Sequence, residues 1–292
     1  MNLKRLKYFV AVAEELHFGR AAARLHMAQP PLSQQIRSLE EELGATLFER
    51  STRSVKLTRA GEILLPEARR LTADADALAR LMAEHRSGVT GELRVGFVDS
   101  ASYSVMPEFL RAYRERWPGI RFELHTMTSD IQQAALLAGE LDVGIARTRS
   151  SSVDIAHTVI LEERLFLAVA TTHPLAKRKS VRLASLSDEA FLGFNRSASP
   201  MLSAEVATLL AAANINYEPI IEAEEYTTII GLVAAGEGIA IVPAGVRSFR
   251  PSGLNYVQIS DKNAVTQLMI LCRANDQLQV VRQALSLATE LF

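Results

Sequence analysis

One cysteine and one tryptophan stand in a chain of 292 residues, and aromatics make up only 6%. No apolar run approaches the ~18 residues that a membrane helix needs, so no membrane partner is expected. A lone cysteine, Cys272, excludes a disulfide within the chain and fits a reducing, cytoplasmic setting. It lies in Gln267-Leu-Met-Ile-Leu-Cys-Arg273, a pattern that reads as a buried strand hiding an inert thiol. The six histidines are scattered and none pairs with a cysteine at metal-ligand spacing. No Ser, His and Asp set stands out as a triad, and no Walker loop or Gly-x-Gly-x-x-Gly follows a strand. Gly236-Glu-Gly238 reads as a helix cap and turn. The chain is therefore expected to be no enzyme and to hold neither metal nor cofactor. Charge of one sign is also missing, since the net charge is −1. That average hides an asymmetry: residues 1–60 hold ten Lys or Arg against six Asp or Glu, a balance of +4, and the remainder is at −5. A basic head on an acidic body suits an N-terminal module that faces phosphates.

What is present is a globular composition, 48% hydrophobic and 22% charged, in a chain long enough for two or three packed units. Leu3, Leu6, Phe9, Val10 and Ala13 mark an amphipathic first helix, which ends at Glu14-Glu15 and does not read as a signal peptide. Residues 20–25 make a short second helix, and His26-Met27-Ala28 a tight link. Over 28–43, Leu32, Ile36, Leu39 and Leu43 recur at i, i+4, i+7 and i+11, one stripe of a third helix. Its other side carries Pro30, Gln34 and Arg37, with Ser33 on the flank, and Pro30 and Pro31 suit a first turn. Two helices so joined have the form of a helix-turn-helix, the later one being the reader. Gln29, Pro30, Ser33, Gln34 and Arg37 are the candidate contacts to double-stranded DNA. Docking is then by the N-terminal half, with Glu40-Glu41-Glu42 beyond the groove. Residues 47–50 and 54–57 read as the strands of a hairpin wing, with Arg53 at a tip suited to a minor groove.

From Thr58 the period changes. Leu64, Ala68, Leu71, Ala75, Leu78, Met82 and His85 alternate in steps of four and three, an a/d seam. A helix over 58–86 extends about 40 Å and cannot bury its seam alone, so a partner helix is implied. Leu64, Leu71, Leu78 and Met82 are the candidate dimer contacts. Pro66 should bend the rod near its start, and the glycines of 87–91 should break it.

Beyond Gly91, strands at 93–98, 122–125 and 141–146 alternate with helices at 104–117 and 130–138. A second series begins with a strand near Leu165 and runs through 191–194, helix 201–213, 220–222, helix 227–235 and 239–242. A strand at 266–272 and a helix at 277–291 close the chain. Two such series predict a two-lobed α/β domain. Ligands of such folds gather beyond strand ends, where helix starts offer N–H groups. Three hydroxyl-bearing starts are visible here: Asp99-Ser-Ala-Ser102, Thr128-Ser129 and Ser197-Ala-Ser-Pro-Met201. Converging on one cleft, they would bind a carboxylate; singly, each is an ordinary helix cap.

The order Leu-Lys-Tyr-Phe-Val-Ala-Val-Ala-Glu-Glu, Ala-Ala-Ala-Arg-Leu, Gln-Pro-Pro-Leu-Ser-Gln-Gln-Ile, Leu-Glu-Glu-Glu-Leu-Gly and Leu-Phe-Glu-Arg resembles the LysR-type transcriptional regulators, as does Leu57-Thr-Arg-Ala-Gly-Glu62. The resemblance implies a winged helix-turn-helix (1–58), a dimerising linker helix (59–87) and an effector-binding domain (88–292) of periplasmic-binding-protein type. Within that domain it implies lobe I at 91–161 and 266–292 and lobe II at 162–265. Val95-Gly-Phe-Val-Asp-Ser100 and the run from Gly231 to Ala244 are similar to the branch responding to muconate and benzoate. In that branch the positions matching Ser100, Ser129, Arg147 and Pro200-Met201-Leu202 face the effector, with Arg147 the natural cation for an acid. Asp99 and Thr227 join the candidate set, and Arg196 adds a cation near the second lobe's loop. Asp99 replaces a glycine usual in the branch and would repel a dianion unless paired. Gly19 replaces the Ser or Thr common before the second helix, which weakens that cap. The family also implies RNA polymerase as a partner and a homodimer or homotetramer.

Two other classes fit an α/β body. A solute-binding protein would need an export signal and no DNA reader, and an enzyme with a regulatory head would need a catalytic constellation. Ligand binding that survives removal of residues 1–90, and an effector recovered unchanged, separate both from a regulator.

Overall fold

The computed structural model describes residues 2–50, 54–87, 91–195 and 200–292, without the side chains at 80, 81, 83–87 and 200–202. It divides into two units, Met1–Ser87 and the rest, the short segment Leu137–Glu140 being grouped with the first. Among the described residues no helix is long and apolar enough to cross a membrane.

In the first unit, helices α1 (Leu3–Glu15), α2 (Phe18–Arg24) and α3 (Gln29–Leu43) meet around Leu6, Phe9, Val12, Ala21, Leu32, Ile36 and Leu39. Phe48 closes that core, its ring 5.4 Å from Phe9 and 5.8 Å from Phe18. Each Val, Leu, Ile or Phe of this core contributes about 1.5–3 kcal/mol on burial. Leu43 departs from the predicted stripe and is 38% exposed. It is the last residue of α3, ahead of the left-handed cap at Gly44 (φ 65°), where the packed turns have ended. The cap of α2 is stronger than the sequence suggests: His17, not residue 19, provides it, and its Nδ1 accepts from the N–H groups of Gly19 (3.1 Å) and Arg20 (3.2 Å). Strands β1 (Phe48–Arg50) and β2 (Val55–Leu57) pair antiparallel as the wing, and its tip with Arg53 lies outside the described residues.

Helix α4 (Arg59–Ser87) starts on Thr58, whose Oγ1 accepts from the Gly61 N–H, and carries Pro66 inside. Its seam divides. Ala68 is fully buried and Leu64 partly so against the head's own core, whereas Leu71, Leu78 and Met82 are 37%, 59% and 53% exposed. The His85 side chain and the hinge residues 88–90 lie outside the described residues.

In the second unit β3 (Glu92–Phe97) runs parallel between β4 (Arg121–Thr126) and β5 (Val143–Ala146). Strand β12 (Val265–Arg273) returns antiparallel beside β5, so the chain's end joins the first strands. Helices α5 (Val105–Arg116), α6 (Ser129–Leu137) and α9 (Gln279–Leu291) belong to this lobe, α5 tied to α9 by Tyr113 Oη donating to the Val280 carbonyl at 3.0 Å. Strand β6 (Ile155–Ala170) starts ten residues before the strand predicted near Leu165 and runs unbroken for sixteen. Its first part pairs with β12, from Ile155 opposite Arg273 to Arg164 opposite Val265. Its last part pairs with β10 (Ala240–Pro243) and β11 (Leu254–Ile259). The early half escapes a pattern reading because Ala156, His157, Thr158 and Val159 are all exposed, which erases the alternation. Further on, alternation is complete and both faces are covered. Leu165, Leu167 and Val169 enter one core with α7 (Pro200–Ala211), and Ala168 enters another with α8 (Tyr226–Ala235). Strands β7 (Ser180–Val181), β8 (Leu192–Phe194) and β9 (Ile221–Ala223) complete the second lobe.

Candidate nucleic-acid interface and ligand cleft

Burying Leu32, Ile36 and Leu39 turns the opposite stripe of α3 outward, and Gln29, Pro30, Gln34 and Arg37 are exposed there. Pro30, Ser33, Gln34, Arg37, Ser38 and Glu41 line one continuous polar groove. No side chain caps the start of α3, and because Pro30 and Pro31 carry no N–H, only Gln29 and Leu32 of its first turn leave a backbone donor for an external acceptor such as a phosphate. Most cations of the head are already paired: Arg5 with Glu42, Lys7 with Asp76, Arg20 with Glu15, Arg24 with Glu14, Arg50 with Glu40 and Arg59 with Glu62. Arg37 pairs with no described carboxylate and keeps its charge for a ligand. The acidic run does not stand off as a block. Glu40 turns to the wing, accepting from the N–H groups of Leu47 (2.9 Å) and Phe48 (3.2 Å), while Glu41 shares the stripe with Arg37. Sequence reasoning missed Ser38 and Glu41, although 38 and 41 follow 34 and 37 at helical spacing.

The second unit brings three of the predicted cleft residues together through one side chain. Arg147 follows β5 and is 9% exposed, not a surface cation. Its Nε donates to Ser100 Oγ (2.9 Å), one terminal nitrogen to Thr266 Oγ1 (3.1 Å) and the other to Glu163 Oε1 (2.6 Å). Its own N–H donates to Ser129 Oγ at 3.2 Å. Glu163, on β6, accepts a further bond from the Gly245 N–H (2.8 Å). A side chain at Gly245 would drive its Cβ to 2.5 Å from that of Ser104, so only glycine permits this approach of the turn Ala244–Ser248 to the turn Asp99–Tyr103. The positive charge expected for an acid is thus neutralised inside the protein, and what Arg147 does is hold two serine hydroxyls as acceptors. Each of those hydroxyls keeps its own proton to donate.

Asp99 does not stand free in the cleft. Its Oδ2 accepts from the Tyr226 N–H at 3.0 Å, capping α8 across the two lobes. Burial pushes its carboxyl above the usual range, with the Tyr226 bond working against that and the Glu225 charge adding to it. Thr227 is exposed, its hydroxyl 3.3 Å from Glu225. Its neighbour Tyr226 is the buried residue, 2% exposed, and its hydroxyl has no hydrogen-bond partner. Arg196 and the serines at 197 and 199 lie outside the described residues. Pro200, Met201 and Leu202 open α7, with their side chains outside them. Glu163, Thr266 and Tyr226 were not foreseen; the pairing of Thr266 opposite Glu163 in the β6–β12 ladder exposes the first two, and the bond from the Tyr226 N–H to Asp99 the third. Cys272 is buried and its thiol is pushed up to about 11 by that burial, so it stays protonated and unreactive.

Residues 86–292 match the model of the LysR substrate binding domain, and residues 3–62 match that of the bacterial regulatory helix-turn-helix protein, lysR family. The chain is 39% identical over 275 residues to the HTH-type transcriptional regulator BenM of Acinetobacter baylyi, covering 94% of this chain and 90% of that protein. Full-length CbnR, solved in complex with its target DNA, superposes with a TM-score of 0.70 at 31% identity, covering 99% of both chains. The BenM effector binding domain, solved with its effector benzoate, gives 0.63 at 31% identity over 68% of this chain and 91% of that one.

Proposed function

The chain belongs to the LysR family of transcriptional regulators, DNA-binding proteins and not enzymes, controlled by a small-molecule effector, and from that premise we propose which groups it uses. Gln29, Pro30, Ser33 and Gln34 meet the operator's base edges in the major groove with Arg37 on a phosphate, and Arg53 in the wing reaches the minor groove. The exposed half of the α4 seam, Leu71, Leu78 and Met82, joins copies into a homodimer or homotetramer. The protein acts in the cytoplasm and reaches RNA polymerase through its bound position on DNA. The effector is an organic acid seated between the lobes, as benzoate is the effector of the related domain.

The observation that carries the acid reading is the pair of serine hydroxyls, Ser100 and Ser129, each held by Arg147 so that its proton points elsewhere. Two neutral donors and a compensated cation favour one carboxylate group over a dianion. Binding that alters the seat between the turns Asp99–Tyr103 and Ala244–Ser248 would shift the lobes and so the operator complex. Footprinting of the full-length chain on sites selected from random DNA, with benzoate, muconate and other organic acids added singly, tests this. An unchanged footprint with every acid overturns the effector class, and no selected site at all overturns the reading face.

A further inference from the structure

Around one buried hydroxyl the interlobe cleft gathers more carboxylates than cations. The Tyr226 hydroxyl is buried without a partner, and the charges that reach it are those of Arg147, Glu205, Glu163 and Asp99. Among the described residues that is one cation against three carboxylates. The cation is already paired at 2.6 Å with Glu163. Asp99 is engaged by the N–H of Tyr226. Glu205, on α7, is different: it makes no hydrogen bond or ion pair with a described residue. Together with Arg147 it lines a cavity of about 490 Å³ whose apolar walls include Leu165, Leu209 and Val265. That volume lies in the range of small-molecule sites.

A plain acid entering this space would bring a second negative charge toward Glu205 with no free cation among the described residues to receive it. An acid that also carries a protonated amine would supply the missing cation itself. Resting on the reading that the cleft binds an organic acid, we propose that the effector is an amino-acid-like zwitterion with an apolar side chain, and that Glu205 receives its ammonium. The carboxylate is held by the Ser100 and Ser129 hydroxyls, and the apolar side chain lies against Leu165 and Leu209. Tyr226 Oη completes the site, since it can accept from an ammonium or donate to a carboxylate and is otherwise unsatisfied.

Calorimetry on the full-length chain tests this with the twenty proteinogenic amino acids, each apolar one paired with its deaminated acid. Leucine against 4-methylpentanoate and phenylalanine against 3-phenylpropanoate are the leading pairs. At least one apolar amino acid should bind, at least tenfold more tightly than its deaminated partner. Glu205→Gln should weaken that ligand tenfold or more and narrow its advantage, Glu205→Asp should keep the preference for the amine, and Tyr226→Phe should weaken binding with the fold intact by thermal unfolding. Deaminated acids that bind as well as amino acids, or a Glu205→Gln that binds them better, overturn the zwitterion and leave the acid reading standing. An amino acid that binds unchanged in Glu205→Gln overturns the role of Glu205. Binding by neither class overturns both readings.

Discussion

Breaking the Arg147–Glu163 pair is the perturbation whose size follows most directly from the geometry. Both side chains are almost wholly withdrawn from water, 5% and 6% exposed, and both charges meet at 2.6 Å. Glu163→Gln keeps the volume and one acceptor but leaves the guanidinium without a counter-charge and disturbs the bond from the Gly245 N–H. Removing one partner of a buried pair costs about 3–5 kcal/mol. For a domain near 200 residues each kcal/mol moves Tm by ~2–4 °C, so the midpoint should fall by roughly 6–20 °C. Arg147→Met should fall by a similar amount, since it strands Glu163. The double variant, Arg147→Met with Glu163→Leu, leaves neither charge unpaired and should lose much less than the two single losses together. Urea unfolding of the wild type and the three variants, followed by circular dichroism, gives the coupling energy. Single losses below about 1 kcal/mol, or strictly additive ones, would refute the idea that Arg147 is a compensated internal cation. A loss of effector response in Arg147→Ala has to be read against this, because that variant disturbs the domain as well as the site.

Gln34→Ala should cost roughly 1–3 kcal/mol of operator affinity and relax specificity at one base pair, whereas Arg37→Ala, a phosphate contact, should weaken all sequences alike and reduce the salt slope by about 1; titrations at several salt concentrations distinguish the two. Leu71→Lys with Leu78→Lys places charges in the exposed seam and should yield monomers in sedimentation, while a double variant that stays oligomeric would show that copies join elsewhere. His17→Ala removes the acceptor for two N–H groups at the start of α2 and should destabilise the head by about 1 kcal/mol in thermal unfolding. Because burial holds the Asp99 carboxyl above the ordinary range of about 4, the folded chain keeps this proton more tightly than the unfolded chain does. Its contribution is complete below the ordinary value and is lost as pH rises through the raised one, so Asp99→Asn should flatten the stability profile across that window.

The outward face of α3 was legible because its signal is local: a stripe of Leu32, Ile36 and Leu39 fixes which side of α3 is left outside. The site between the lobes was legible only in part, since its defining contacts join residues far apart in the chain. Arg147 lies 47 positions from Ser100 and 119 from Thr266, and only the pairing of β5 with β3 on one side and with β12 on the other brings them together. The resemblance marked Arg147 as a cation for a ligand, and nothing in the local sequence showed that Glu163 compensates its charge. Whether Asp99 was paired was likewise hidden, because the N–H it caps belongs to a helix 127 positions away. His17 went unseen as a cap because the rule of hydroxyls at helix starts does not include an imidazole acceptor.

The sixteen residues of β6 carry a mechanical consequence. Two lobes joined by slack loops could swing apart at almost no cost, but here each lobe is zipped to the same ribbon, along nine residues of β12 at one end, with one irregularity at Leu268/Met269, and along β10 and β11 at the other. Any rotation of one lobe against the other has to wind or unwind that ribbon, and its elasticity sets a restoring torque. Such a connector behaves like a torsion spring, returning small angular displacements and resisting wide gaping. A ligand bound beside it would work against that torque, and Glu163, which lies on the ribbon, sets through its pair with Arg147 where the ribbon is tied to the first lobe.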